Sequence, residues 1–260
     1  MANLQVGKNQ IHYEQIGSGP NLILLPTLLA EMSVYDDVID DLAREFCVTR
    51  INFPGFGLST GPIKQSIEAY ADLICEIISA LSLPTETNIV GNGFGGFVAC
   101  TLAIRHGTIF NKLVLVDSGS GFPKLAKEPL RILAKKASEE GMTAVLDAAI
   151  KRMFPEKFIL DNPTIVATRR DQLVQADPSL FANAALGLMS LDNKPKLNKI
   201  NNPTLIVVGL ADETTPPALS YELHSGIKGS ELIELPGIGH CPQLQDPSAF
   251  LHSVVPFIRS

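Results

Sequence analysis

A mostly parallel sheet with helices on both faces is the α/β architecture this chain predicts, and three observations carry it. Short apolar runs alternate with segments of helical periodicity from residue 22 to 118, and again after residue 202. Such alternation implies crossover connections and parallel strands. Between residues 119 and 201 the pattern turns to helices alone, which reads as a helical lid inserted into a core made of 1–118 and 202–260. Finally, three short motifs each follow directly on a predicted strand. They would therefore meet at one edge of the sheet, where open α/β sheets place their ligands.

The elements follow in order. Leu4 to Val6 and Ile11 to Gln15 flank the turn-like Gly7-Lys8-Asn9-Gln10, an opening hairpin. Leu22 to Leu25 is apolar throughout, as suits a strand covered on both faces. Val34, Val38, Leu42 and Phe46 recur every fourth residue and predict a helix over 34–45, and Cys47 to Asn52 is the next strand. Pro54-Gly55-Phe56-Gly57 breaks that strand, and Ile67 to Leu81 is helical. Thr87 to Val90, a helix from Gly95 to His106, and a strand from Lys112 to Val116 complete the first half. The lid is predicted as helices over 130–140, 142–154, 162–176 and 179–189. A strand from Thr204 to Val208, a helix near 218–225, a strand from Glu231 to Leu235 and a last helix over 248–258 finish the core.

Composition narrows the function classes. The chain has 260 residues, of which 45% are hydrophobic and 18% charged, enough for one large core. A formal net charge of -6, with no cluster of basic residues, gives no electrostatic reason to expect nucleic acid. No apolar run approaches the length of a membrane span, and no leader pattern is visible near the N-terminus. Cys47, Cys75, Cys100 and Cys241 lack metal-ligand or CxxC spacing. Free thiols in a cytoplasmic protein, with no metal and no membrane contact, are expected, and a small molecule is the expected partner.

The most informative segment is Gly91-Asn92-Gly93-Phe94-Gly95, between a strand and a helix. That is the context of the G-x-S-x-G nucleophile elbow, with glycine where serine is expected. Asp212 follows the strand ending at Val208, and His240 follows the strand ending at Leu235. Elbow, acid and histidine thus occur in the order used by serine hydrolases built on this sheet. Gly93 can adopt a left-handed backbone freely, so the replacement keeps the turn, deletes covalent catalysis at that position and is expected to leave room for a water beside His240.

With these motifs and this topology the chain resembles the α/β-hydrolase superfamily along essentially its whole length. It looks most similar to 3-oxoadipate enol-lactonases, through Gly141-Met142-Thr143-Ala144-Val145-Leu146-Asp147, Pro203 to Gly209, Leu235 to His240 and Asp246 to Phe250. The resemblance implies a small ester, lactone or related carbonyl substrate and no cofactor. It also implies an oxyanion hole formed by the backbone N–H groups of Leu28 and Phe94. In the family the loop after this strand usually begins His-Gly, whereas here it reads Pro26-Thr27-Leu28. Backbone donors do not depend on side-chain identity, so the hole is expected to survive.

Plainer roles stand beside these. Asp212 could cap a helix, with Asp117 as the alternative acid; His240 could be structural; Cys241 reads as a small buried residue. His12, His106, His224 and His252 have no matching partners and read as solvated or capping residues. Thr27, Arg169 and Arg170 are candidate substrate contacts, the two arginines as a carboxylate clamp or simply a solvated helix face. The leading functional reading is a hydrolase using a His240–Asp212 base and the oxyanion hole. Residual catalysis of roughly 10³–10⁴ over water after loss of a triad would suffice only for an activated substrate. A ligand-binding pseudohydrolase, a cofactor-free lyase or oxygenase, and a serine hydrolase inactivated by Ser→Gly replacement are the alternatives.

Overall fold

In the computed structural model, which describes residues 2–28 and 30–260, eight strands form one sheet in the order β1-β2-β4-β3-β5-β6-β7-β8. β1 (Ala2–Val6) and β2 (Asn9–Ile16) make the opening hairpin, and β2 runs antiparallel to β4 (Cys47–Ile51). From β4 onward every pairing is parallel: β3 (Asn21–Leu25), β5 (Asn88–Asn92), β6 (Leu113–Val116), β7 (Thr204–Gly209) and β8 (Glu231–Leu235). Burial explains the composition of these strands. β5, β6 and β7 are buried at every residue and read as continuous apolar or small-residue runs. The edge strands β1 and β8 mix exposed and buried positions.

Helices cover both faces of this sheet. α1 (Asp36–Ala43) packs with α10 (Pro242–Gln245) and α11 (Pro247–Arg259). α2 (Ile67–Ala80) packs on α3 (Phe94–His106), and the 3-10 turn at Lys194–Lys199 joins α3 to α9 (Pro217–Gly226). α2 begins where the Ser66 hydroxyl accepts the Ala69 N–H, and it buries Ile67, Tyr70, Ala71, Ile74 and Ile78 on one side. α3 is buried from Phe94 to Ala103, so it is the central helix rather than an amphipathic one. Its first turn fits only because its glycines are bare. A Cβ on Gly95 would lie 2.3 Å from the Leu25 carbonyl oxygen, and one on Gly91 would lie 2.4 Å from that of Gly95. The backbone of α3 therefore touches the end of β3 directly.

Between β6 and β7 the chain forms α4 (Lys127–Glu140), α5 (Leu146–Met153), α6 (Glu156–Asp161), α7 (Pro163–Leu173) and α8 (Pro178–Ser190). α4 packs along α8, and α5 packs on α6 and α7. The break before α6 falls at Pro155, and the Asp177 carboxylate caps α8 by accepting the Ser179 and Leu180 N–H groups, each at 2.9 Å.

Three details differ from the sequence expectation. The helix expected over 34–45 opens as a 3-10 turn at Met32–Tyr35 and becomes α-helical only at Asp36. The piece expected over 142–154 likewise opens as a 3-10 turn before α5. α6 and α10, of six and four residues, are too short for periodicity to reveal. Among the described residues, no helix is long and apolar enough to cross a membrane.

Candidate active site

The elbow is present in its backbone. Gly93 sits between β5 and α3 with φ 52° and ψ -117°, its N–H donating to the Val116 carbonyl at 2.9 Å. Its own carbonyl accepts the Gly96 and Phe97 N–H groups at 2.9 and 3.0 Å. A side-chain-bearing residue held there would store about 1–3 kcal/mol of strain, and glycine avoids it. The space above Gly93 is not vacant, however. A Cβ built on it would lie 2.5 Å from His240 Nε2 and 2.5 Å from Thr27 Oγ1. Imidazole and threonine hydroxyl thus stand directly over the bare glycine.

Asp212 and His240 meet as the sequence order suggests. His240 Nδ1 lies 2.8 Å from Asp212 Oδ2, and both residues are buried. The carboxylate also performs the capping duty, with its other oxygen: Oδ1 accepts the N–H groups of Thr214 at 2.7 Å and Thr215 at 3.1 Å. The turn it caps precedes α9, which begins only at Pro217. The Thr215 hydroxyl lies 2.6 Å from Oδ2. A carboxylate only accepts, so Nδ1 is assigned the proton and Nε2 is a bare acceptor. Thr27 Oγ1, 3.0 Å from Nε2, is therefore the donor in that contact. Asp212, His240 and Thr27 form one hydrogen-bonded row.

Asp117 is not the histidine's acid. Its Oδ1 accepts the Gly209 N–H at 2.7 Å, while Oδ2 has no partner among the described residues. Burial, reinforced by the charge of neighbouring Asp212, pushes its carboxyl well above the ordinary range. Cys241, fully buried, has its thiol pushed up by burial and then by Asp117 and Asp212, the opposite of an activated nucleophile.

Several residues that hold the histidine loop escaped the sequence reading. Asn92 Nδ2 donates to the His240 carbonyl at 2.9 Å, and Gln243 Nε2 donates to Asn92 Oδ1 at 3.0 Å. From the inserted helices, the Met153 carbonyl accepts the His240 N–H at 3.1 Å and the Arg152 carbonyl accepts the Thr214 hydroxyl at 2.6 Å. Asn92 lies inside the elbow motif and Thr215 three residues after Asp212, so spacing was a usable signal for those two. Nothing local marks Arg152, Met153 or Gln243.

Thr27, Leu28, Gly93, Phe94, Arg152 and His240 line one narrow, mostly apolar cavity, with about 30 Å³ for the centres of water molecules. That suffices for a water or two and not for an ester. Among the described residues, neither the Leu28 N–H nor the Phe94 N–H has an acceptor. Two free amides at a helix N-terminus and the facing loop suit a developing oxyanion. Phe94 packs its ring edge-on against Phe53 and Tyr70, and the residue also lines the cavity.

The two arginines stand away from the cavity. Arg169 is buried and donates to Ser33 Oγ at 2.9 Å, and Arg170 pairs with Asp147 at 2.5 Å, so neither lines the cavity. Arg152 does, on the last turn of α5, with no carboxylate within ion-pair distance among the described residues. Burial lowers its guanidinium from the usual value, and the charge of Asp212 partly offsets this. His12 is buried and meets the Asn52 amide at 3.1 Å, and the partly exposed His106 meets Asp72 at 2.7 Å. Among the described residues no group of three or more His, Cys, Asp or Glu side chains could hold a metal ion.

This sheet, the elbow backbone and the buried acid–histidine pair define a hydrolase scaffold. The chain belongs to the alpha/beta hydrolase fold family, which matches residues 20–247. It is 25% identical over 254 residues to the pimeloyl-(acyl-carrier protein) methyl ester esterase of Nitrosomonas europaea, covering 93% of this chain and 96% of that one. It is 26% identical over 247 residues to 3-oxoadipate enol-lactonase 2 of Acinetobacter baylyi, covering 94% and 91%. The crystal structure of the enol-lactonase from Burkholderia xenovorans aligns over 100% of both chains with a TM-score of 0.94 and 26% identity.

Proposed function

We propose that this protein is a cofactor-free hydrolase of small carboxylic esters or lactones, with residues 119–201 as a lid over the site. The observation that carries the reading is the buried Asp212–His240 pair, which leaves Nε2 as an acceptor beside a cavity lined by His240, Leu28 and Phe94. Asp212 fixes the imidazole tautomer and stabilises the imidazolium that forms when His240 takes a proton. The two amides receive the charge that develops on the substrate carbonyl oxygen. Relatives that carry esterase and lactonase names along nearly their whole length support the same reaction class. A binding protein would have no use for a buried, oriented base, which argues against the pseudohydrolase alternative.

Arg152 narrows the substrate. A half-buried guanidinium without a carboxylate partner, at the wall of an apolar cavity, favours an ester or lactone that carries a second, ionised carboxyl group. The direct test is turnover of a panel of p-nitrophenyl esters and carboxylate-bearing lactones, with His240→Ala as control. Turnover that collapses in the control supports the reading, and absence of turnover across the panel refutes it.

A further inference from the structure

We infer that Thr27 is the nucleophile, a hydroxyl on the loop after β3 that takes over from the side chain missing at Gly93. The inference rests on the hydrolase reading and adds a covalent intermediate to it. Three observations carry it. First, Thr27 Oγ1 is the hydroxyl on His240 Nε2, at 3.0 Å, and Nε2 is the nitrogen left free by Asp212. Nucleophile, base and orienting acid are within hydrogen-bond reach in sequence, the geometry that activates a hydroxyl. Second, the sites compete for space: a Cβ on residue 93 would come within 2.5 Å of Thr27 Oγ1. A serine at 93 and the hydroxyl of Thr27 cannot both stand where they would need to stand. Third, Thr27 is followed by the free Leu28 amide, as Gly93 is followed by the free Phe94 amide. The oxyanion donors therefore flank a nucleophile at 27 as they would flank one at 93.

The reaction balances with no other reagent than water. Thr27 Oγ1 gives its proton to His240 Nε2 while its lone pair bonds to the ester carbonyl carbon, and the carbonyl pair moves onto oxygen between the Leu28 and Phe94 amides. Collapse restores the C=O and breaks the bond to the leaving oxygen, which takes the proton from Nε2. The product is an ester of Thr27; in a lactone the leaving oxygen stays attached to the acyl group. Water then adds to this ester as its proton passes to Nε2. Breaking the Oγ1–acyl bond returns that proton to Oγ1 and frees the acid.

The experiment uses the full chain and a covalent readout. The unmodified protein is mixed with p-nitrophenyl acetate, quenched in acid, digested and mapped by mass spectrometry; a fluorophosphonate, which expels fluoride on attack, serves as a second probe. The expected result is an acetyl or phosphonyl group on Thr27. With it should come a burst of one p-nitrophenolate per chain, both lost in Thr27→Val and kept in Thr27→Ser. Turnover in Thr27→Val should fall on the order of 10³-fold or more. Turnover that needs His240, leaves Thr27 unmodified and survives in Thr27→Val would overturn the inference while leaving the hydrolase reading intact, with His240 acting on water directly. An adduct on another residue would overturn it too. A protein that neither turns over nor acquires an adduct overturns both. The mapping on unmodified protein keeps the test decisive even if Thr27→Val folds poorly.

Discussion

Asp117 and Asp212 are buried neighbours with different partners: Asp212 Oδ2 lies 2.8 Å from His240 Nδ1, and Asp117 Oδ1 accepts the Gly209 N–H at 2.7 Å. The Asp117 carboxyl is raised in the folded state above its ordinary value of 3.8, so folding favours its protonated form. Its contribution to stability is complete below about pH 3.8 and is lost as pH rises toward the folded value. Asp117→Asn, which mimics the protonated form, should keep activity within about twofold, far less than the tenfold that 1.4 kcal/mol would represent. Its Tm relative to the parent should climb as pH goes from 4 to 7. Thermal melts across that range check the sign, and a difference that falls with pH would refute it.

Asp212→Asn should behave oppositely. The amide leaves the cap to Thr214 and Thr215 intact but offers His240 the wrong tautomer, and activity should drop on the order of 10⁴-fold with little change in fold. Kinetics on the Asp117→Asn and Asp212→Asn pair tell which carboxylate serves the base.

Gly93→Ser should not restore an ordinary serine hydrolase. The added side chain meets Thr27 and His240 at 2.5 Å and costs about 1–3 kcal/mol in backbone strain at φ 52°. Lower Tm and impaired turnover are expected for the single variant. Combining it with Thr27→Gly removes one of the two close contacts and leaves the one with His240, so the double variant should be more active and more stable than Gly93→Ser alone. A double-mutant cycle with additive energies would rule out the competition for space.

Arg152→Met keeps the length of the side chain and removes its charge. For a carboxylate-bearing ester KM should rise about tenfold or more, the loss of one charge-assisted hydrogen bond worth about 1.5–3 kcal/mol. For a neutral ester of similar size KM should change little. Equal effects on both substrates would assign Arg152 to packing or to balancing Asp212 instead.

The elements of the site that sequence reveals are those tied to local signals. Gly91, Gly93 and Gly95 announce a tight strand-to-helix turn, and Asp212 and His240 each stand directly after an apolar strand. The strands themselves are legible because a buried parallel sheet requires unbroken apolar runs such as Leu113–Val116. Thr27 is different: its partner lies 213 residues away, and no local pattern distinguishes a threonine on an imidazole from one in a loop. Arg152 is hidden for the same reason. Its helix looks like any amphipathic piece, and only the packing of α5 against the Asp212 and His240 loops turns its guanidinium inward. Arg169 and Arg170 were the more visible pair, yet Ser33 and Asp147 occupy them.

The hydrogen bonds from Met153 to His240 and from Thr214 to Arg152 give the end of α5 a meaning beyond covering the cavity. They rivet one margin of the insert to the two loops that carry His240 and Asp212. The opposite margin is apolar, with Leu130, Leu133 and Leu188 of α4 and α8 lining the cavity. Greasy contacts slide where directed bonds hold. The insert is thus anchored by directed bonds beside His240 and Asp212 and held by apolar packing at its other side.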